Sequence, residues 1–372
     1  MLNINKKLYF NQKNKKYKII LLLFILFIIL LIIILSLIFK IKIYFSVLII
    51  RNNDSYYSNS YYSKLIFQYQ EDKIKINEKN KNLIHICMAL DNKEIYSTLV
   101  SMVSALENND KKKNILIYYL LLSYDFNKLN IKIFEDLKKK YVVKINYYII
   151  PPIFNKLKKW HNSNSIYYKL IFPLIHPELK RIIYLDGDTI IFKDLLEMYN
   201  LPFNNNYILG APSPIHRFPQ NFYKNSTIYI NVGVSLINIE KIIRDNIIFN
   251  FLDFMMKNTN SFHLLEQDSI LYYFSPYIGY LPYKYGMFLI DINTYKKLNF
   301  KKKYSLEEVS KAINDPYIIH LVYCVPKVWY SITKSLYSTN NICKNYQKIF
   351  YFYAKKTKYF SKIINFYKKN NH

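Results

Sequence analysis

The chain has 372 residues, of which 51% are hydrophobic, and this apolar content excludes a mainly disordered protein. Its 3 cysteines and 5 glycines exclude a disulfide scaffold and a collagen-like architecture. The formal charge is +28, but the lysines are interleaved with Asn, Ile and Tyr along the whole length. A nucleic-acid surface would cluster its cations on one element, so we expect no nucleic-acid partner.

The first predicted element is a membrane-spanning helix over residues 19–39. The stretch carries no charged residue, and its length matches the roughly 20 residues that cross a hydrocarbon core. A cleaved signal peptide is the alternative, but its apolar stretch is only about 7–15 residues long, and Lys40 and Lys42 follow here. The more basic flank, residues 1–18, is expected to stay in the cytosol. The sequence therefore predicts a single-pass type II membrane protein of the Golgi or ER, with its larger part in the lumen.

Residues 40–81 are polar and weakly periodic, which indicates a stem between the membrane and a folded domain. The predicted domain occupies residues 82–339. Residues 340–372 form a basic, aromatic C-terminal segment, either a terminal helix on the domain or a surface-seeking segment.

Within the domain, short apolar runs of strand length alternate with stretches of helical spacing. Strand-like runs begin near Leu83, Ile115 and Lys144, and helical patterns cover residues 95–106 and 127–140. This alternation predicts an α/β fold with a mostly parallel sheet that is covered by helices on both faces. Ligands of such folds bind beyond the carboxyl ends of the strands.

The strongest chemical signal is Asp186-Gly187-Asp188, which directly follows an apolar strand. Residues i and i+2 of an extended chain point to the same face, so both carboxylates can reach one divalent cation. Asp-Gly is also a common turn pair, so a polar loop closing a strand is the alternative.

Three further segments carry polar groups beside apolar runs. Asn231 and Gly233 lie in a predicted strand, where the alternatives are satisfied amides or a close ligand approach. Residues 266–268 join two carboxylates and an amide before an apolar stretch, which is also typical of a helix N-terminus. His320 ends a predicted strand and precedes a loop with Lys327, although a lone His is more often structural.

Taken in this order, the segments resemble glycosyltransferase family 8, the retaining nucleotide-sugar transferases. The resemblance spans about residues 83–330 and includes Tyr167-Tyr-Lys-Leu-Ile-Phe-Pro before the Asp186 strand. It implies a single Rossmann-like domain of the GT-A type, with a mixed, mostly parallel sheet. It also implies a hexosyltransferase that moves a hexose, glucose or galactose, from a UDP-sugar to a glycan, protein or lipid acceptor.

The resemblance also implies roles for individual residues. Asp186, Asp188 and His320 would hold a manganese ion, or a magnesium ion, that bridges the donor diphosphate. Two carboxylates suit a hard cation, and an added imidazole favours manganese. The donor would contact residues in four further segments: Ala89 and Asp91 at the nucleoside, Lys169, Asn231 and Gly233, and Lys327 at the phosphate.

The residues assigned to the chemistry are Glu266, Gln267 and Asp268. Gln267 matches the amide below the anomeric carbon, with the two acids around the sugar. An amide is a poor nucleophile, so a same-face route is favoured, with Asp268 kept as the alternative nucleophile of a double displacement.

The chain departs from the family pattern in places. The loop after His320 lacks a glycine, and Val328 stands where Pro is usual; Lys169 replaces an Arg, and Glu94 stands where a Tyr is expected. The alternative function is therefore a catalytically weak family member that binds sugar nucleotides or a partner at the membrane.

Overall fold

The computed structural model describes residues 67–70, 81–213, 229–287, 304–323 and 341–369. All of them belong to the compact unit Tyr57–His372. The predicted spanning helix at residues 19–39 lies outside the described residues, as do Lys327 and Val328. None of the helices within the described ranges is both long and apolar enough to cross a membrane.

The centre of the described fold is a mixed sheet of eight strands, in the order β1-β4-β3-β2-β5-β8-β7-β9. Its strands, numbered along the chain, are β1 Phe67–Gln70, β2 Asn82–Leu90, β3 Asn114–Ser123, β4 Val143–Ile150, β5 Ile182–Leu185, β7 Ile208–Pro212, β8 Ile230–Ile237 and β9 Ile278–Tyr280. A separate antiparallel pair consists of β6 Thr189–Ile191 and β10 Ile318–His320.

The four adjacent strands β4, β3, β2 and β5 are parallel, as the strand–helix alternation predicted. β8 then runs antiparallel to β5, with Leu185 opposite Val234. The start of β8 therefore lies beside the end of β5. The sheet edge at which β2 and β5 end also receives the first residues of β8.

Helices connect and flank these strands. Their bounds are α1 Ile95–Asn108, α2 Ile131–Glu135, α3 Phe172–Ile175, α4 Leu196–Tyr199, α5 Ile239–Arg244, α6 Ile248–Asn258, α7 Leu265–Phe274, α8 Leu306–Asn314, α9 Asn341–Lys355 and α10 Phe360–Lys369. The predicted helix at residues 127–140 is broken into α2 and two 3-10 turns. Asn127 accepts a hydrogen bond from Leu129 N, a local bond that favours a tight turn over a regular helix start.

Successive side chains of the parallel strands enter two separate cores. Ile86 and Met88 of β2 join the core that contains Leu99 of α1, whereas Cys87 joins the core that contains Phe251 of α6. A period of two is the geometry of an extended chain. The predicted sheet with helices on both faces is confirmed.

The C-terminal helices α9 and α10 pack on the same domain. Phe350 and Ile363 are buried in the α1-side core. Lys356 forms an ion pair with Glu107 of α1 at 2.9 Å, and Tyr353 accepts a hydrogen bond from Asn108. The described part of the C-terminal segment is thus a helical pair on the domain.

Candidate active site

Asp186, Asp188 and His320 converge at the sheet edge where β5 ends. Each offers a ligand atom, and these atoms all lie within 4.8 Å of one another. His320 Nε2 is 2.9 Å from Asp188 Oδ1 and 3.6 Å from Asp186 Oδ2. The structure therefore brings together the three residues predicted as metal ligands.

The small sheet formed by β6 and β10 explains how a distant imidazole reaches the two aspartates. His320 is paired with Thr189 across this sheet, and Leu321 N donates to Asp188 O at 2.9 Å. Since β6 begins directly after Asp188, the antiparallel register places the end of β10 beside it.

Gly233 makes room for this cluster. A Cβ atom at residue 233 would lie 2.5 Å from His320 Cε1 and would overlap the carboxylate of Asp186. The backbone of β8 approaches the carboxylate closely, with Asp186 N donating to Gly233 O at 2.7 Å. Only glycine at position 233 lets Asp186 and His320 come this close to β8. The resulting set of two carboxylates and one imidazole fits a divalent cation such as Mn²⁺.

The Asp186 carboxylate is held in place by Tyr184 of β5. The Tyr184 hydroxyl donates to Asp186 Oδ1 at 2.9 Å. Burial raises the pKa of Tyr184 well above its usual value, and the Asp186 charge raises it further. The phenol thus stays a neutral donor and leaves Oδ2 of Asp186 facing Gly233 and His320. Tyr184 was not predicted as a site residue, since nothing in an apolar strand marks its hydroxyl.

Lys169 and Glu266 form a buried ion pair beside this strand. Their Nζ and Oε1 atoms are 3.2 Å apart, and the ammonium lies 4.6 Å from the centre of the Tyr184 ring. Burial raises the pKa of Glu266; Lys169 opposes this rise and Asp186 adds to it. The two residues were predicted separately near the donor sugar, and the structure joins them to each other.

Gln267 and Asp268 lie in the first turn of α7, where each is hydrogen-bonded. Gln267 Oε1 accepts from Val232 N at 3.2 Å, and its Nε2 donates to the Tyr229 hydroxyl at 2.7 Å. Tyr229 donates to Asp268 Oδ1 at 2.5 Å, and Leu264 N donates to Asp268 Oδ2 at 2.7 Å. Burial raises the pKa of Asp268, and these bonds to its charged form oppose the rise.

Ala89 and Asp91 lie at the carboxyl end of β2, on the same sheet edge. Asp91 is half-buried, and its Oδ1 accepts from Lys93 N at 2.7 Å. Glu94 Oε2 accepts from Asp91 N at 3.2 Å and from Ser165 Oγ at 3.1 Å. Burial, together with the nearby charges of Asp91 and Asp186, raises the pKa of Glu94 to about 8.

Asn231 braces the start of β8. Its Oδ1 accepts from Gly233 N at 2.8 Å, which stabilises the close approach of this backbone to Asp186. The described residues assigned to the site thus come from the ends of β2, β5 and β10, the start of β8, the start of α7 and the 3-10 helix Ser165–Ile171.

The chain is similar in sequence to known proteins. The E. coli protein "Lipopolysaccharide 1,2-glucosyltransferase" is 26% identical over 283 residues, which cover 72% of this chain and 78% of the relative. The Arabidopsis thaliana protein "Probable galacturonosyltransferase-like 7" is 24% identical over 183 residues, and the alignment spans about half of that relative, 49%.

Among solved structures, the galactosyltransferase LgtC in complex with donor and acceptor sugar analogs has a TM-score of 0.60. It is 16% identical and covers 74% of this chain and 96% of its own, so this likeness concerns the fold. The GT-A-like architecture predicted from the resemblance is confirmed. The model of the family described as "Glycosyl transferase family 8" matches residues 85–333. Because that match covers more than half of the chain, the protein belongs to glycosyl transferase family 8, and its enzyme class is that of a hexosyltransferase.

Proposed function

We propose that the protein is a retaining, metal-dependent transferase that moves glucose or galactose from a UDP-sugar to a glycan, protein or lipid acceptor. The observation that carries the proposal is the convergence of Asp186, Asp188 and His320 within 4.8 Å at one sheet edge. Similarity in sequence to a glucosyltransferase and in fold to a galactosyltransferase supports the choice of sugars.

Asp186, Asp188 and His320 would hold the cation. The imidazole in this donor set favours Mn²⁺ over Mg²⁺, which prefers oxygen ligands throughout. When bound, a divalent cation stabilises the negative charge of a departing diphosphate. The chain's own part is to orient these ligands: Tyr184 holds Asp186, and the pairing of β6 with β10 holds His320.

The arrangement around Gln267 supports a same-face route over a double displacement. Gln267 is an amide and a poor nucleophile. Asp268 is 0% exposed, and both of its oxygens accept hydrogen bonds from Tyr229 and Leu264. A nucleophilic carboxylate has to reach the anomeric carbon, so we assign Asp268 a supporting role.

We also propose that residues 19–39 anchor the chain in the Golgi or ER membrane with the catalytic domain in the lumen. The support is the uncharged run itself and its more basic preceding flank, which stays cytosolic in such proteins.

The test is a donor screen on the full chain in detergent. UDP-glucose and UDP-galactose are each supplied with Mn²⁺, with Mg²⁺ or with chelator, and UDP release is measured. We expect cation-dependent release that is lost in Asp188→Ala and kept in Asp253→Ala, which removes an exposed acid on α6. Equal turnover in chelator would contradict the metal role. Binding of UDP-sugar without turnover of any donor would favour the catalytically weak alternative.

A further inference from the structure

A directional chain of hydrogen bonds passes through the amide of Gln267 and ends on the carboxylate of Asp268. It runs from Val232 N to Gln267 Oε1, from Gln267 Nε2 to the Tyr229 hydroxyl, and from that hydroxyl to Asp268 Oδ1. Tyr229 and Gln267 are nearly buried, at 7% and 8% exposed, and Asp268 is 0% exposed. The members come from the start of β8 and the first turn of α7, so the chain links the two elements.

The polarity of this chain follows from what each group can do. A backbone N–H such as that of Val232 only donates, so the atom of Gln267 that faces it must be the oxygen. The nitrogen of the amide then faces Tyr229 and donates to its oxygen. The single proton of Tyr229 is therefore directed to Asp268, whose ionised carboxylate only accepts.

We propose that Asp268, acting through Tyr229, reinforces the orientation of the Gln267 amide that Val232 N selects, and so helps to fix which end of the amide faces the reacting sugar. Asp268 and Tyr229 are positioning residues in this account. The inference rests on the proposed function and on the position of Gln267 below the anomeric carbon, which the family resemblance implies. The bonds described use one N–H and one lone pair of the amide, and its second N–H and second lone pair remain for the substrate.

The substitution Asp268→Asn tests the polarity, because the new amide keeps the shape of the carboxylate. If its nitrogen faces Tyr229, two donors point at the phenol and the phenolic proton loses its acceptor. If its nitrogen faces Leu264 N, two donors meet there instead. A reversed Gln267 amide would point its nitrogen at Val232 N, which is again a donor. Each arrangement loses a buried hydrogen bond, so the preference for one amide orientation is weakened.

The kinetic experiment compares Asp268→Asn and Tyr229→Phe with Tyr207→Phe in the full chain. Tyr207 is a matched control, since it is also buried, at 9% exposed, and donates to an aspartate, Asp245, at 2.9 Å outside the site. We expect kcat to fall by up to about 100-fold in the two test variants, the scale of a small misplacement of reacting groups. The KM for the donor and the Mn²⁺ dependence should stay near wild type. The control should keep the wild-type kcat. Wild-type kcat in both test variants, with Asp188→Ala inactive, would overturn the proposal and leave the proposed function intact.

A second measurement does not depend on turnover. Thermal unfolding of Tyr229→Phe, Gln267→Leu and the double variant forms a double-mutant cycle. If the two side chains are coupled as described, the loss of Tm in the double variant is smaller than the sum of the two single losses. Additive losses would overturn the proposal. Because the cycle needs no substrate, failure of the donor screen and failure of this inference can be told apart.

Discussion

The metal cluster and the interior beside it are built in opposite ways. Asp186 and Asp188 carry like charges, keep 36% and 16% of their side chains exposed, and share one imidazole. In the interior, Lys169 neutralises Glu266, and Tyr229 and Leu264 satisfy Asp268. Two negative charges held close together favour the binding of a cation. Buried groups whose charges and hydrogen bonds are already paired within the protein are held in fixed positions. The cluster is thus suited to binding, and the interior to holding residues in fixed positions.

The largest expected effect comes from removing a ligand from the metal cluster. Asp188→Ala should lower UDP-sugar turnover by more than about 100-fold, because residues that merely orient a metal ligand are already worth about 10–100-fold in metal affinity. The rise in Tm on adding Mn²⁺ should also disappear, since a ligand stabilises only the state that binds it. Turnover assays and thermal melts of Asp188→Ala beside Asp253→Ala would measure both. A full Mn²⁺-induced rise in Asp188→Ala would contradict the cluster as the cation site.

A second test distinguishes the effect of crowding at the metal cluster from the effect of crowding elsewhere in the core. Gly233→Ala should destabilise the fold by about 1–3 kcal/mol, the cost of overpacking, and should also abolish the Mn²⁺-induced rise in Tm. Gly279→Ala is the matched control, since its Cβ would crowd Leu209 and Asn206, away from the cluster. We expect a similar loss of Tm in the control, with the Mn²⁺ response retained. Loss of the response in both variants would show that it reports general stability.

A third test breaks the ion pair of the interior. Lys169→Met leaves the Glu266 carboxylate buried without its partner and should cost about 3–5 kcal/mol of unfolding free energy. The pKa of Glu266 is already raised by burial and would rise further. The folded state then binds more protons than the unfolded state, so stability falls as pH rises through the folded pKa. Tm measured at pH 5 and pH 8 should show the larger loss at pH 8. An equal loss at both values would contradict the assignment.

The last test concerns Glu94, whose carboxyl group interacts with the charge of Asp186. Its folded pKa is about 8 against the ordinary 4.5, so wild-type stability should decline as pH rises from about 4.5 to 8 and level off above. Glu94→Gln resembles the protonated form and should remove part of this decline. Chelator in the thermal melts keeps metal binding from adding its own pH dependence. An unchanged profile in the variant would mean that Glu94 is ionised throughout.

Much of the fold could be predicted because its signals are local. Apolar runs of strand length located β2, β3, β4 and β8, and helical spacing located α1. The break in the predicted helix at residues 127–140 was missed. At its start the Asn127 side chain accepts a hydrogen bond from Leu129 N, which favours a tight turn.

The site residues likewise divide into those with a local sequence signal and those without one. The i, i+2 spacing of Asp186 and Asp188 predicted a shared ligand from the geometry of an extended strand. The two carboxylates do converge with His320, but they do so in a turn between β5 and β6. Tyr184 and Tyr229 carried no signal, since a tyrosine in an apolar run reads as core. Their hydroxyl partners are set by which strand or helix lies opposite.

By itself the amino-acid sequence determined the alternating cores of the sheet, the acidic pair at the end of β5 and the order of the family's motifs. The first two depend on residue spacing along one strand or turn, and the third on the order of segments along the chain. Only the tertiary structure decided that His320 reaches Asp188, that Lys169 pairs with Glu266, and that Tyr229 joins Gln267 to Asp268. Each of these contacts joins segments far apart in the chain, and their meeting depends on the pairing of β6 with β10, on the packing of α7, and on the antiparallel register of β8 against β5.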